Sequence, residues 1–153
     1  MFKHLLLPTD GSDLSERAVF RGIELAREIG ARVTGVHVSP QFHLFTYRVD
    51  SLEDTREVFE RDVREHAERY LEVVKKAARD AQVPCEVICK TNDRPYQAIC
   101  EVARNDGCDL IVMASHGRRG VAGLLMGSET QRVLTHSTVP VLVWRSAETP
   151  PTY

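Results

Sequence analysis

The stretch from Ala114 to Ser128, Ala-Ser-His-Gly-Arg-Arg-Gly-Val-Ala-Gly-Leu-Leu-Met-Gly-Ser, concentrates the residues best suited to holding an anion. It follows the most apolar short run of the chain, Leu110-Ile111-Val112-Met113, and leads into a helix-like segment at Ser128. Gly117, Gly120, Gly123 and Gly127 let a backbone approach a ligand closely. The first turn of a helix offers unpaired N–H groups and the positive end of its dipole. Arg118 and Arg119 add positive charge. A buried strand that ends in such a loop and re-enters a helix is built like a phosphate cradle. The pattern is neither GxxxxGK[ST] nor GxGxxG, so spacing alone does not name the ligand.

The elements that must position this loop follow from hydrophobic periodicity. His4 to Pro8 reads as a short apolar strand, and Thr9-Asp10-Gly11-Ser12 as the turn after it. Ser12 or Asp13 caps a helix with Val19, Gly22, Ile23, Ala26 and Ile29 on one side, and Gly30 stops it. Val33 to Val38 is a second strand. An irregular stretch with Phe42, Phe45 and Tyr47 follows, and Asp50 or Ser51 opens a long helix to about Ala81. Its apolar stripe is Phe59, Val63, Ala67, Tyr70, Leu71, Val74 and Ala77. Spacings such as Glu57–Arg61, Glu65–Arg69 and Glu72–Lys76 mark a solvated face. Cys85 to Thr91 is a partly polar strand expected at a sheet edge. Pro95 starts a short helix that Gly107 ends, and Asp109 to Met113 is a fourth strand. Ser128-Glu129-Thr130-Gln131 reads as a capping box with Val133 and Leu134 inward, and Pro140 to Trp144 as a fifth strand.

Strands alternating with amphipathic helices predict an α/β fold: an open five-stranded parallel sheet with helices on both faces. Ligands of such folds bind at the C-terminal ends of the strands. The Asp10 turn, the Ser39 loop and the Ala114 loop all leave those ends, so they meet in one crevice. The residues point to a nucleoside polyphosphate. Its phosphates would lie on the N–H groups of Gly117, Gly127, Ser128 and Glu129. Asp10 would sit near ribose hydroxyls or a metal-bound water, since a carboxylate repels phosphate. The exit of the second strand at Val38 would offer backbone groups to a base. Each piece also has a plainer use: Ser128 as an N-cap, the glycines as turn residues, Asp10 closing a turn with Ser12. The sequence around His116 shows no paired nucleophile or catalytic motif, and the residue is expected to hydrogen-bond its own loop. The aromatics after the second strand either cover the base pocket as a lid or pack over the long helix.

The 153 residues carry 20 Lys and Arg against 22 Asp and Glu, which argues against a nucleic-acid binder. No apolar run nears the ~20 residues of a membrane span. The N-terminal apolar run is too short for a signal peptide, so a cytoplasmic location is expected. The four cysteines, Cys85, Cys89, Cys100 and Cys108, form no CxxC pair and no zinc pattern, and are expected as small buried residues. The six histidines show no metal-ligand spacing. Residues 1–146 read as one domain and 147–153, with Pro150 and Pro151, as a flexible tail.

With these segments in hand the chain closely resembles the universal stress protein family over nearly its whole length. The resemblance rests on Leu5-Leu6-Leu7-Pro8-Thr9-Asp10-Gly11-Ser12, Val36-His37-Val38, Asp109-Leu110-Ile111-Val112-Met113, Ser115-His116-Gly117-Arg118, Gly127-Ser128 and Val139-Pro140-Val141-Leu142-Val143. It implies the sheet order 3-2-1-4-5. The nucleotide-binding branch of that family carries Gly, two residues, Gly, nine residues, then Gly with Ser or Thr. Here the second Gly is Gly117, the nine residues are Arg118 to Met126, and Gly127-Ser128 closes the pattern; Ala114 stands at the first position. The resemblance implies that ATP, with Mg²⁺, would touch Pro8, Thr9, Asp10 and Val38. The loop Ala114, Ser115, His116, Gly117, Arg118, Arg119 and Gly120 would also contact it, as would Ser128, Glu129 and Thr130. At Ala114 a positive φ would cost about 1–2 kcal/mol. The apolar run instead places it at the end of a strand, where alanine is harmless.

The resemblance also implies a homodimer. Val139 to Trp144 is apolar on both faces, which fits a strand covered by helices, and as the last strand it is a pairing edge. Three functions are therefore expected in rank order. The first is a cytoplasmic ATP-binding stress-response dimer without efficient catalysis. The second is a nucleotide-free dimeric interaction module of the same fold. The third is a slow adenine-nucleotide hydrolase, disfavoured because Pro8-Thr9-Asp10-Gly11-Ser12 is neither an SGGxDS-type nor a HIGH-type motif. No membrane or nucleic-acid partner is expected.

Overall fold

A computed structural model describes residues 1–43, 52–117 and 126–145. The elements are β1 (His4–Pro8), α1 (Asp13–Ile29), β2 (Arg32–Ser39), α2 (Leu52–Asp80), β3 (Cys85–Thr91), α3 (Pro95–Asn105), β4 (Leu110–Ala114), α4 (Ser128–His136) and β5 (Val141–Trp144). The strands form one parallel sheet in the order β3-β2-β1-β4-β5. The expected fold class and strand order both hold.

Period-two alternation in the apolar strands divides the core between the two faces of the sheet. Leu5 and Leu7 of β1, Val33 of β2 and Leu110 and Val112 of β4 pack with Val19, Ile23 and Ala26 of α1 and Val74 and Ala78 of α2. Leu6, Val36, Ile111 and Met113 face the other way, onto Ile99, Val102 and Ala103 of α3 and Val133 of α4. Two glycines set the helices close to the sheet. A Cβ at Gly22 would press on Leu7 Cδ2 at 2.5 Å, and one at Gly35 on Val74 Cγ1 at 2.8 Å. Ser12 caps α1 by accepting from the Ser15 N–H at 3.3 Å, and Gly30 ends it at φ 67°.

Several local expectations fail, each for a packing reason. The capping box does not form: Gly127 is the N-cap of α4, and no side chain caps it. Gln131 instead turns its amide to the Met126 carbonyl at 3.1 Å. Leu134 is 42% exposed, because a nine-residue helix seated through Thr130 and Val133 has no third side to bury. β5 is covered less than expected: on the α1 side Arg21 stands over the Trp144 ring at 5.2 Å. Val141 packs against the α3–α4 side, whereas Leu142 remains 41% exposed at the sheet edge. Cys89 is exposed on edge strand β3, and Cys85 is half-buried. Cys100 and Cys108 are buried as expected. Burial pushes the Cys108 thiol up to about 12, so it stays a thiol. On α2 the described ion pairs are Arg56–Glu60, Lys76–Asp80 and Glu72 with Lys75 and Arg79, not the predicted spacings. All are exposed and worth little individually. No helix among the described residues is long and apolar enough to cross a membrane. Residues 146–153, which include the whole of the predicted tail, lie outside the described residues.

The N-terminal end of the sheet carries a pH-dependent contact. His4 is buried, and its Nε2 hydrogen-bonds with Thr34 Oγ1 at 2.7 Å. Burial, with Arg32 adding to it, holds the imidazole below its ordinary 6.5; Asp106 and Asp109 oppose the shift. As pH falls, the unfolded chain therefore takes up this proton before the folded one. The stability tied to neutral His4 is complete above about pH 6.5 and declines as pH drops toward the folded-state value. Urea unfolding at pH 7.5 and 5.5 should show a smaller acid loss for His4→Gln than for the wild type. Equal losses would refute the assignment.

Candidate functional site

Beyond Pro8 the chain leaves the sheet through Thr9, whose N–H still donates to the Val36 carbonyl at 2.9 Å. Thr9 Oγ1 accepts from the Gly11 N–H at 3.2 Å and lies 3.2 Å from Ser15 Oγ. Asp10 Oδ1 accepts from the Ser12 N–H at 3.0 Å and its hydroxyl at 2.6 Å. The plainer role of Asp10, closing a turn with Ser12, is thus real for one oxygen. The other oxygen lies against Gly117: a Cβ on Gly117 would overlap Oδ2. Two loops that leave different strands therefore meet at Asp10 and Gly117, and a side chain at position 117 would push the Asp10 carboxylate from its place.

The β4 exit is stitched from both sides. Ala114 is the last residue of β4, in extended backbone paired with Trp144. Among the described residues the only non-glycine with positive φ is Gln82. Alanine at position 114 thus carries no backbone strain, as the sequence suggested. The Ser115 N–H donates to the Trp144 carbonyl at 2.8 Å, and the Ser115 carbonyl accepts from the Gly127 N–H at 2.7 Å. Thr130 Oγ1 donates to the Ala114 carbonyl at 2.9 Å. Gly127 rests on His116, where a Cβ would come 3.0 Å from both His116 Cα and Cβ. His116 Nδ1 lies 3.1 Å from Ser115 Oγ, the local turn contact expected of it.

The start of α4 is consequently held beside the Asp10–Gly117 contact. Its first N–H groups have no acceptor within the helix, and no side chain caps it. A carboxylate at that start repels an anion, but that of Glu129 is drawn away. It accepts from the Tyr96 N–H at 2.9 Å and from Arg132 at 2.9 Å. Glu129 can therefore contribute through its backbone, while the Thr130 hydroxyl is committed to Ala114.

The third wall is β2, which outruns β1. The ladder between them ends at Pro8↔Val36, while β2 continues to Ser39. Arg32 N–H and Val36 C=O bond toward β1, whereas Val33 N–H and Ser39 C=O bond toward β3 and its flanks. That alternation aims the Val38 N–H and C=O to the β1 side, past the end of β1. The Val38 side chain packs into the α3–α4 face of the core.

Of the predicted site residues, the structure brings Pro8, Thr9, Asp10, Val38, Ala114, Ser115, His116, Gly117, Gly127, Ser128, Glu129 and Thr130 to one end of the sheet. Arg118, Arg119 and Gly120 lie outside the described residues, as do Phe45 and Tyr47. Phe42 packs on Phe59 of α2 at 5.3 Å between ring centroids, so it serves packing. It lines a broad groove of about 1260 Å³ between α2 and the ends of β2 and β3, together with Phe59, Val63, Val87 and Cys89. The groove mixes Arg56, Arg64 and Lys75 with Glu60, Glu68 and Glu72. It lacks the convergent backbone donors of the strand-end crevice. Two further residues reach the crevice without a local signal, His37 and Tyr70, which contact the Thr9–Gly11 turn. Tyr70 is one member of an ordinary helical stripe, and nothing local links it to Gly11.

Residues 1–145 match the model of the universal stress protein family. The chain belongs to that family. A universal stress protein of Thermus aquaticus is 34% identical over 145 residues, covering 95% of this chain and 100% of the relative. One of Bacillus subtilis is 31% identical, covering 95% and 100%. The solved universal stress protein MJ0577 of Methanocaldococcus jannaschii superposes with a TM-score of 0.81 at 28% identity, covering 97% and 99%. Two more distant members share the fold and carry nucleotides. One is a universal stress protein in complex with cAMP, at 24% identity and TM-score 0.62, covering 93% and 95%. The other is an Arabidopsis thaliana protein with AMP bound, at 21% identity and TM-score 0.69, covering 97% and 96%. Within this universal stress protein the five-stranded parallel sheet keeps the α/β fold of the solved MJ0577.

Proposed function

We propose that this universal stress protein binds an adenine nucleotide, ATP with Mg²⁺, at the C-terminal ends of β1, β2 and β4, and works as a cytoplasmic, nucleotide-dependent sensor dimer. The observation that carries the proposal is the pair of side-chain-free contacts, Gly117 on Asp10 and Gly127 on His116, beside the uncapped start of α4. Glycine at both points lets the β1 and β4 loops and the start of α4 close on one another, which sets the backbone donors of α4 beside the strand ends where a triphosphate would lie. The N–H groups of Ser128, Glu129 and Thr130 supply its donors. Val38 offers one donor and one acceptor to the base edge, and Asp10 faces the ribose side. No group of three His, Cys, Asp or Glu among the described residues could hold a metal by itself. Mg²⁺ therefore fits as the phosphates' own ion, keeping most of its waters, with Asp10 the nearest carboxylate. It would neutralise phosphate charge. Family members with AMP and cAMP support the adenylate class.

Catalysis has little to work with. Ser115 Oγ and His116 Nδ1 stand 3.1 Å apart, but no third group among the described residues orients the imidazole as a general base. The dimer rests on β5, an edge strand with Leu142 exposed, which leaves an apolar pairing surface. The cytoplasmic assignment rests on four free cysteines, which suit a reducing compartment. Calorimetric titration with ATP and Mg²⁺ should give saturable heat, and AMP and cAMP serve as competitors. Absence of heat with every adenylate leaves the nucleotide-free module as the correct description. Light scattering at micromolar concentration should report twice the 17.3 kDa chain mass; a single-chain mass rejects the dimer.

A further inference from the structure

We infer that Tyr70 and His37 are positioning residues for the nucleotide site: from α2 and β2 they hold the Thr9–Gly11 turn against Gly117, so that Asp10 stands where the ligand meets it. The inference rests on the nucleotide reading above and concerns residues outside the family's glycine pattern.

Three contacts carry it. Tyr70, 6% exposed, lays its ring on Gly11, where a Cβ would overlap Cδ1, Cε1 and Cζ. Gly11 also has φ 75°, so both the ring and the backbone demand glycine there. His37, 8% exposed, donates from Nδ1 to the Thr9 carbonyl at 2.9 Å. The two rings meet edge to face, 5.2 Å between centroids at 70°. On Tyr70 they are joined by His66, stacked at 5.9 Å, and by the Arg69 guanidinium at 5.5 Å.

The turn's own hydrogen bonds, Asp10 to Ser12 and Thr9 to Ser15, fix its internal shape. They do not by themselves fix its tilt relative to the sheet, to which the Thr9 N–H bond to Val36 ties only its first residue. Beyond that bond, His37 on the Thr9 carbonyl and the Tyr70 ring on Gly11 hold the tilt. It matters because Asp10 Oδ2 touches Gly117 Cα, so the tilt determines the gap between the β1 and β4 loops. A ligand spanning that gap gains affinity when the gap is preset rather than ordered on binding. Tyr70 belongs to α2, whose seat on the sheet is defined four residues on, where Val74 presses on Gly35. The placement of the long outer helix is thereby transmitted to Asp10.

The test is calorimetry with MgATP on the wild type, Tyr70→Phe, Tyr70→Leu, His37→Gln and His37→Leu, with melting of each apo protein. Tyr70→Phe keeps the ring and should bind within about threefold of the wild type. Tyr70→Leu should bind at least about tenfold more weakly at temperatures well below its melting point. His37→Leu should weaken binding, and His37→Gln, which keeps an N–H donor, should recover part of it. If the leucine variants melt earlier yet bind like the wild type, the two residues only stabilise the fold and the inference is overturned. A wild type that binds no adenylate overturns the nucleotide reading, and the inference with it. If Tyr70→Leu does not fold, the His37 pair decides, because both variants lose the ring contact with Tyr70 and only His37→Gln keeps an N–H donor for the Thr9 carbonyl.

Discussion

Gly127→Val is expected to weaken MgATP binding by at least about 100-fold, equivalent to ~2.7 kcal/mol, while the apo protein still folds. Gly127 has φ −71° and ψ 156°, a backbone that valine adopts readily, so α4 can still start at the same place. The harm is steric. A Cβ there would lie 3.0 Å from the Cα and Cβ of His116 and 3.5 Å from the Ser115 carbonyl, and valine adds two methyl groups. The contact is with backbone, which cannot rotate aside as a long side chain would. The β4 loop and the start of α4 must move apart, breaking the 2.7 Å Gly127–Ser115 hydrogen bond that holds the cradle's shape. Overpacking of this kind costs about 1–3 kcal/mol, small beside the loss of a preset site. Calorimetry and melting on the same preparation separate the two effects. Retained affinity would show that phosphates do not lie at this junction.

Leu7→Ala is expected to destabilise the protein by about 2–5 kcal/mol, the largest stability effect predicted for it. Leu7 is fully buried on the central strand β1, between α1 and the neighbours Val33, Leu110 and Val112. Gly22 brings α1 so near that a Cβ would meet Leu7 Cδ2 at 2.5 Å, so the helix already sits at its closest approach. It cannot settle further to fill the cavity, because its backbone is fixed by Val19, Ile23 and Ala26 in the same cluster. At about 2–4 °C per kcal/mol for a domain of this size, melting should fall by roughly 4–20 °C. The void also lies one residue before Pro8, beneath the Thr9–Gly11 turn, so nucleotide affinity should fall modestly as well. Urea unfolding that showed a loss below about 1 kcal/mol would mean that α1 and β1 pack less tightly than described.

Much of the fold was legible because its determinants are local. The apolar run Leu5–Leu7 bounded by Pro8 and Asp10 could only be a buried strand, and the Val19–Ile23–Ala26 spacing with Ser12 before it and Gly30 after it only a helix. The errors came where a local pattern had to compete with packing. Leu134 follows Val133, and both looked available for burial; α4 presents one narrow side to the core, and Val133 occupies it. Val139 to Trp144 looked two-sided, yet no helix covers Leu142 at the sheet edge. Glu129 looked like half of a capping box, yet the nearby start of α3 at Tyr96 gave its carboxylate a better donor.

By itself the sequence determined the strand–helix alternation, the three loops at the C-terminal strand ends and the stretch from Ala114 to Ser128 as the place to look. It also carried the resemblance that the family match then established. Only the tertiary structure decided what those loops touch. Gly117 meets Asp10 across 107 positions of chain, Gly11 meets Tyr70 across 59, and Glu129 is drawn off to Tyr96 across 33. Periodicity reports which side of an element is apolar, within a few turns of chain. Contacts between distant residues depend on how far each helix slides and tilts as the whole core closes. A residue as small as glycine leaves no mark in the local pattern to say what will lie against it.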